Sequence, residues 1–354
     1  MRMETVKTLA VITVPLAFLA IIWPAPSGQG MVRAKPVPIL PGLRGHLNEA
    51  ASLTIKTGNA TIHLTRKPVP KKPAEGWQLA DKSGYPVPPA TIRPVLDGML
   101  ALRGVARKTD RPALYGRLDL DLMKDGTARE LILATAQDKT LGDVILGREK
   151  DDASGQGHDQ IYVRVPSAPR AWLAEPPISP PSDALDYIDH SIVNLDPDKI
   201  ATITLTQGPS TLIVARPKPG APLVVMDLPQ GAKLKTASAP ADIAGALYGL
   251  DLVDVMAAAK LTGAPTVQAK YETFDGLTVT AALTKQAGTP WLTVSAAGTG
   301  KAAKDADAIT ARTKGWAYQI ADAQATQLQL KRADLIEPPP PPPAPPKAPE
   351  KESK

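Results

Sequence analysis

The chain contains an internal repeat. Residues 51–66 align without a gap to residues 201–216, at a constant offset of 150. Five positions are identical: Ala51/Ala201, Thr54/Thr204, Gly58/Gly208, Thr61/Thr211 and Arg66/Arg216. The apolar positions match in kind, as Leu53/Ile203, Ile55/Leu205, Ile62/Leu212 and Leu64/Val214. In both copies apolar and polar residues alternate, the period of a strand with one buried face. Gly58-Asn59 and Gly208-Pro209 place a turn between two such runs, so each copy opens with a hairpin. Such a recurrence restricts the chain to two like units, each built around a sheet.

The copies stay parallel downstream. Trp77 and Leu79 read as a third strand, answered by residues 223–228. A helix follows in each. In the first, Ile92, Val95, Leu96, Met99 and Leu102 recur at helical spacing, with Thr91 as N-cap and Pro94 in the first turn. In the second, Ile243, Leu247, Leu250 and Val253 form the stripe, after Ser238 and Pro240. Strands are then expected at 131–134, 141–146 and 161–165, and at 267–273, 277–283 and 291–295, with Asp275-Gly276 as a hairpin turn. Each copy closes with a short strand and a helix. These are 171–173 followed by Leu185, Ile188 and Ile192, and 316–320 followed by a helix after Asp322 carrying Ala325, Leu328 and Leu335. Hairpins interrupted by helices, without βαβ alternation, predict an α+β body with mainly antiparallel sheets.

The two ends differ from this body. Residues 8–23 are uncharged and largely apolar, and follow Arg2, Glu4 and Lys7. As a helix they rise about 24 Å against a hydrocarbon core of about 30 Å. Lys7 and Trp23 suit the two interfaces, and Pro24 and Pro26 end the helix. The expectation is an N-terminal transmembrane anchor, the alternative a cleaved signal peptide with its site near Ala25-Pro26-Ser27. At the other end six prolines follow Glu337, which predicts a disordered proline-rich spacer. The organisation is then an anchor or signal segment (1–27), a proline-rich linker (28–46), a first α+β repeat (47–194), a second (195–336) and a tail (337–354).

Within residues 47–336 the pattern resembles a bacterial family, domain of unknown function 4340. The likeness rests on the strand pair around residues 53–64, Trp77-Gln78-Leu79, Leu114-Tyr115-Gly116, the run from Phe274 to Val279, and Gly315-Trp316-Ala317-Tyr318. The pair Tyr115-Gly116 departs from the family's usual continuation, being followed by Arg117 and Leu118. The resemblance implies a membrane-anchored envelope protein that accompanies gliding-motility-type ABC exporters. It brings no catalytic residues with it.

No residue set announces chemistry. The chain has no cysteine, which excludes a disulfide framework, a thiolate nucleophile and a Cys-ligated metal. With 5 Trp, 7 Tyr and 2 Phe it has little material for stacking on sugars or single-stranded nucleic acid. His46 with Glu49, His63, His158 and His190 show no zinc-ligand spacing. The segment 151–159 gathers three Asp and His158 but matches no EF-hand. Gly298-Thr299-Gly300-Lys301 lacks the upstream glycine and the following Ser or Thr of a phosphate loop. Asp119 and Asp121 read as one solvated strand face. The net charge of +6 is scattered; its densest cluster, Arg103, Arg107, Lys108 and Arg111, reads as the C-terminal end of the first helix.

The expected protein is therefore non-enzymatic, with no catalytic, cofactor or metal site and no nucleic-acid partner. With the resemblance, it becomes an accessory or scaffold component of an ABC-type transport complex. The inner membrane and transporter subunits are then its partners, and its body lies in the periplasm. The alternative is a periplasmic solute- or glycan-binding module, its ligand held between the repeats among Trp77, Trp172, Trp291 and Trp316.

Overall fold

The computed structural model describes residues 35–123, 126–150 and 159–337. Its framework is two large antiparallel sheets that run through one strand order. The first unit contributes β1 (Val37–Pro38), β2 (Ala50–Lys56), β3 (Thr61–Arg66), β4 (Trp77–Leu79), β5 (Tyr85–Pro86), β6 (Arg103–Arg107), β7 (Arg129–Thr135), β8 (Thr140–Lys150), β9 (Gln160–Arg164) and β10 (Ala171–Glu175). The second contributes β12 (Ile200–Gln207), β13 (Ser210–Ala215), β14 (Val224–Val225), β16 (Asp254–Ala257), β17 (Val267–Thr273), β18 (Leu277–Gln286), β19 (Thr289–Gly298) and β20 (Trp316–Gln319). Between the sheets, β11 (Ser191–Val193) pairs with β15 (Leu250–Asp251).

The second sheet is ordered β14-β13-β12-β17-β18-β19-β20-β16. The first holds β4-β3-β2-β7-β8-β9-β10-β6 in the corresponding places, with β5 and β1 added at its two edges. Register repeats as well as order. Leu53 faces Leu64 as Ile203 faces Val214, at the same offset of 150. The ladder to the central strand breaks between Ala50 and Ser52 in one sheet and between Ile200 and Thr202 in the other. A bulge at the same place re-aims both strands alike.

Alternation explains the faces. Leu53, Ile55, Ile62 and Leu64, and their counterparts Ile203, Leu205, Leu212 and Val214, are all buried, while the intervening threonines point outward. Helix α1 (Pro89–Ala101) lays Ile92, Val95, Leu96 and Met99 on the first sheet, and the shorter α2 (Ala239–Gly245) lays Ile243 and Ala244 on the second. One hydrophobic cluster runs through both units without a break. At the junction the Tyr85 ring meets Trp316 edge-on at 4.8 Å, and Lys82 pairs with Asp254 at 2.7 Å. A smaller cluster of Tyr115, Leu120, Ala128, Ile145 and Ala171 seals part of the first unit separately.

Several expectations are corrected. The fold predicted above includes a transmembrane helix, but no helix among the described residues is long and apolar enough to cross a membrane. The predicted anchor (1–27) lies outside the described residues, as do 338–354 of the tail and 151–158 of the acidic loop. What the structure supports is an α+β fold with two antiparallel sheets, tandem-like in arrangement. The membrane-anchored envelope role, the inner-membrane location and the ABC-transporter partners therefore have no structural element behind them and are withdrawn.

Smaller differences have local causes. The helix expected across Leu185, Ile188 and Ile192 is a single 3-10 turn, Leu185–Tyr187, followed by β11. There the Asp189 carboxylate accepts from Ser191 N–H at 3.0 Å, holding the chain in a turn, and β-branched Ile192 and Val193 favour the strand. Helix α1 begins at Pro89 rather than after Thr91, so Pro94 sits inside it and removes one helical donor. The stripe expected through Leu250 and Val253 ends early, because α2 stops at Gly245 and Leu250 enters β15. The basic residues Arg103 and Arg107 belong to β6, not to a helix end. Residues 223–228 keep only the two-residue β14. The helix expected after Asp322 divides: α4 (Asp322–Leu328) ends before Leu335, which lies in a separate four-residue helix, Arg332–Leu335. Helix α3 (Ala303–Thr313) was not anticipated.

Candidate functional site

The segment that links the units, 193–199, passes beside the β17–β18 turn and α3. The three enclose a cleft of about 250 Å³. Val193, Leu195, Leu277, Ala308 and Ile309 give it an apolar part, and Asn194, Asp196, Lys199, Thr273, Asp275, Asp305 and Arg312 supply its polar groups. Each side chain is positioned by a rigid element. Lys199 ends the 3-10 turn Pro197–Lys199, which the Asp196 carboxylate caps by accepting from Asp198 N–H at 2.9 Å. Thr273 and Asp275 bracket a turn in which Gly276 adopts φ +91°, a conformation that favours glycine. Arg312 lies in the last turn of α3, where a cation complements the helix dipole.

The carboxylates here are largely engaged. The Thr273 hydroxyl donates to Asp275, and this bond holds the Asp275 carboxyl below its ordinary range, helped by backbone N–H groups and Lys199. Asp305 lies in the first turn of α3, where the exposed backbone donors favour an anion. The cations are less committed. Among the described residues the Arg312 side chain donates only to Ser191 O, at a long 3.4 Å, and no carboxylate lies within ion-pair distance of Lys199 or Arg312. Such a recess can hold a ligand that sets an apolar group on the lining and a polar group against the two cations.

A second polar cluster lies on the outward face of the first sheet. Lys56 pairs with Glu130 at 2.9 Å, and Asp143 and Arg164 stand on the neighbouring strands. Burial raises the Asp143 carboxyl above its ordinary range, Glu130 adds to this, and Lys56 and Arg164 oppose it. Asp143 Oδ1 and Arg164 Nε are both buried without a hydrogen-bond partner among the described residues. The Arg164 guanidinium also stacks 4.6 Å from the Tyr115 ring. Two acids and two bases here make a patch of balanced formal charge, which meets the 112–118 helix through Arg164 on Tyr115.

The residues weighed from sequence are dispersed. His46 meets Glu49 at 2.8 Å, His63 meets Asp81 at 3.0 Å and His190 meets Leu185 O at 3.0 Å, each on the surface. Among the described residues no three His, Asp or Glu come together to hold a metal. Asp119 and Asp121 lie in a loop after the 3-10 helix Pro112–Leu118 rather than on a strand. Gly298 ends β19, and Gly300 and Lys301 open the short turn that leads into α3.

The four tryptophans do not converge. Trp77 is fully buried on β4, donating to Pro73 O at 2.7 Å, and Trp172 stands on β10. Six strand spacings separate them, about 29 Å. Lys199 and Arg312 were not singled out from sequence. Their only signal was the predicted Asp275-Gly276 turn, which forms one wall of the cleft.

No family model, curated protein or solved structure gives a match to this chain.

Proposed function

We propose that this chain is a non-catalytic binding module whose ligand seat is the linker cleft. The observation that carries this reading is the pair Lys199 and Arg312, which line a partly apolar recess and, among the described residues, have no carboxylate in ion-pair range. Two features support a binding role over a chemical one. The Thr273 hydroxyl is spent on Asp275, and the surface histidines are held by other partners. The ligand class is a small amphiphilic molecule or peptide end with an apolar group beside a carboxylate. The resemblance to domain of unknown function 4340 enters only as a proposal of shared fold.

Titration of the ¹⁵N-labelled chain with N-acetylated leucine and phenylalanine tests this. Shifts should concentrate at Asn194, Lys199, Asp275 and Arg312. The Lys199→Ala/Arg312→Ala double variant should bind at least about tenfold more weakly, the loss of two charge-assisted contacts. Shifts gathered elsewhere, or equal binding by the double variant, would refute the seat.

A further inference from the structure

The two units part company at one pair of equivalent residues. Arg66 and Arg216 follow the same apolar run 150 positions apart, and both reach back toward the chain entering the first strand of their hairpin. Arg66 is buried, and its hydrogen bonds all end on backbone carbonyls. Its Nε donates to Glu75 O at 3.0 Å, Nη1 to Asn48 O and Ala50 O at 3.2 and 2.8 Å, and Nη2 to Val69 O and Lys72 O at 3.2 and 3.1 Å. Three of these five acceptors belong to residues 67–76, a segment holding Pro68, Pro70 and Pro73. A proline residue offers a carbonyl and no N–H, so such a segment suits a donor-only side chain.

That segment can fold back over Arg66 because of Gly76. Gly76 has φ +80°, and a Cβ there would stand 2.1 Å from Lys67 O; its own carbonyl accepts from Lys67 N–H at 3.0 Å. In the second unit the return is missing. The ladders pair Leu64 with Leu79 but Val214 with Val225, which makes the second connection four residues shorter. By the same register Pro222 occupies the place of Gly76, and proline cannot take a positive φ. Among the described residues the Arg216 side chain makes one hydrogen bond, from Nη2 to Pro197 O at 3.0 Å, and its Nε is buried with no partner. Arg216 continues the buried face of Leu212 and Val214, whereas the exposed Val224 pairs with Ala215 and belongs to the other face.

We propose that Arg216 is an open seat for an extended, proline-rich peptide of a partner chain. Its guanidinium takes the peptide's backbone carbonyls as Arg66 takes those of Val69, Lys72 and Glu75. The first unit thus shows, filled by its own loop, the contact that the second leaves free. This seat does not depend on the linker cleft.

The test uses the full chain and a fluorescein-labelled peptide with the sequence of residues 67–76, read by fluorescence anisotropy. Saturable binding is expected, weakened at least about tenfold by Arg216→Lys, which keeps the charge and removes the planar fork. In the unaltered chain the side-chain Nε–H resonance of Arg216 should move on titration, a readout that does not depend on a variant folding. Absence of saturable binding would overturn the proposal, and so would an unmoved Nε–H signal or an affinity indifferent to Arg216→Lys. If removal of residues 338–354 raises the affinity several-fold, the seat belongs to the chain's own tail and the partner peptide is overturned.

Discussion

Arg66 holds five carbonyls from two stretches of chain, so its replacement leaves buried acceptors unpaired rather than only deleting a charge. Arg66→Lys should cost about 3 kcal/mol in urea unfolding. Arg216→Lys, which loses a single bond, should cost about 1 kcal/mol. Gly76→Ala should cost about 3 kcal/mol, since the added Cβ meets Lys67 O in a backbone conformation that side chains rarely adopt.

Two carboxylates set opposite pH slopes. Asp143 holds its proton more tightly folded than unfolded, because burial penalises its charge. Stability from this group therefore falls as pH rises from the ordinary carboxyl range through the folded value. Asp143→Asn should flatten the urea midpoint against pH above about pH 4. Asp275 behaves conversely: its lowered value contributes stability above the ordinary range that is lost as pH falls through the folded value. Asp275→Asn should remove that acid limb. The sequence marked Asp275 as a turn residue but had no means of marking Asp143, whose upward shift comes from burial and from Glu130 on the neighbouring strand.

Among the elements, the most legible were those with a strict period. Alternation in 51–66 and 201–216 foretold both hairpins, and 267–273 was read with the bounds that β17 has. The least legible was α3. It buries only Ala306 and Thr313, with Ile309 half-covered, so it has no apolar stripe to detect. One wall of the cleft, including Arg312, was therefore hidden. Strands β6 and β16 were missed for a related reason: each is short, at five and four residues. Tyr85 is a two-residue edge strand that no window would find, yet it packs across the junction on Trp316 and lies 6.3 Å from the Tyr318 ring. Tyr85→Ala should cost about 3 kcal/mol, read by urea unfolding, because it empties a buried aromatic site. Lys82→Ala, at a half-exposed ion pair in the same junction, should cost under about 1 kcal/mol.

For the whole molecule, sequence foretold two like units but not how they meet. That depends on contacts between residues more than 200 positions apart, such as Tyr85 with Trp316, which no periodicity encodes. The central claim is that the two sheets form one cooperative body around a shared core, with the linker cleft held at its seam. Substituting fluorotryptophan gives a ¹⁹F reporter at Trp77 and Trp172 in the first unit and at Trp291 and Trp316 in the second. Followed through a urea titration, these four native resonances should lose intensity at one common midpoint. Midpoints that separate into two pairs, one for each unit, would contradict the account.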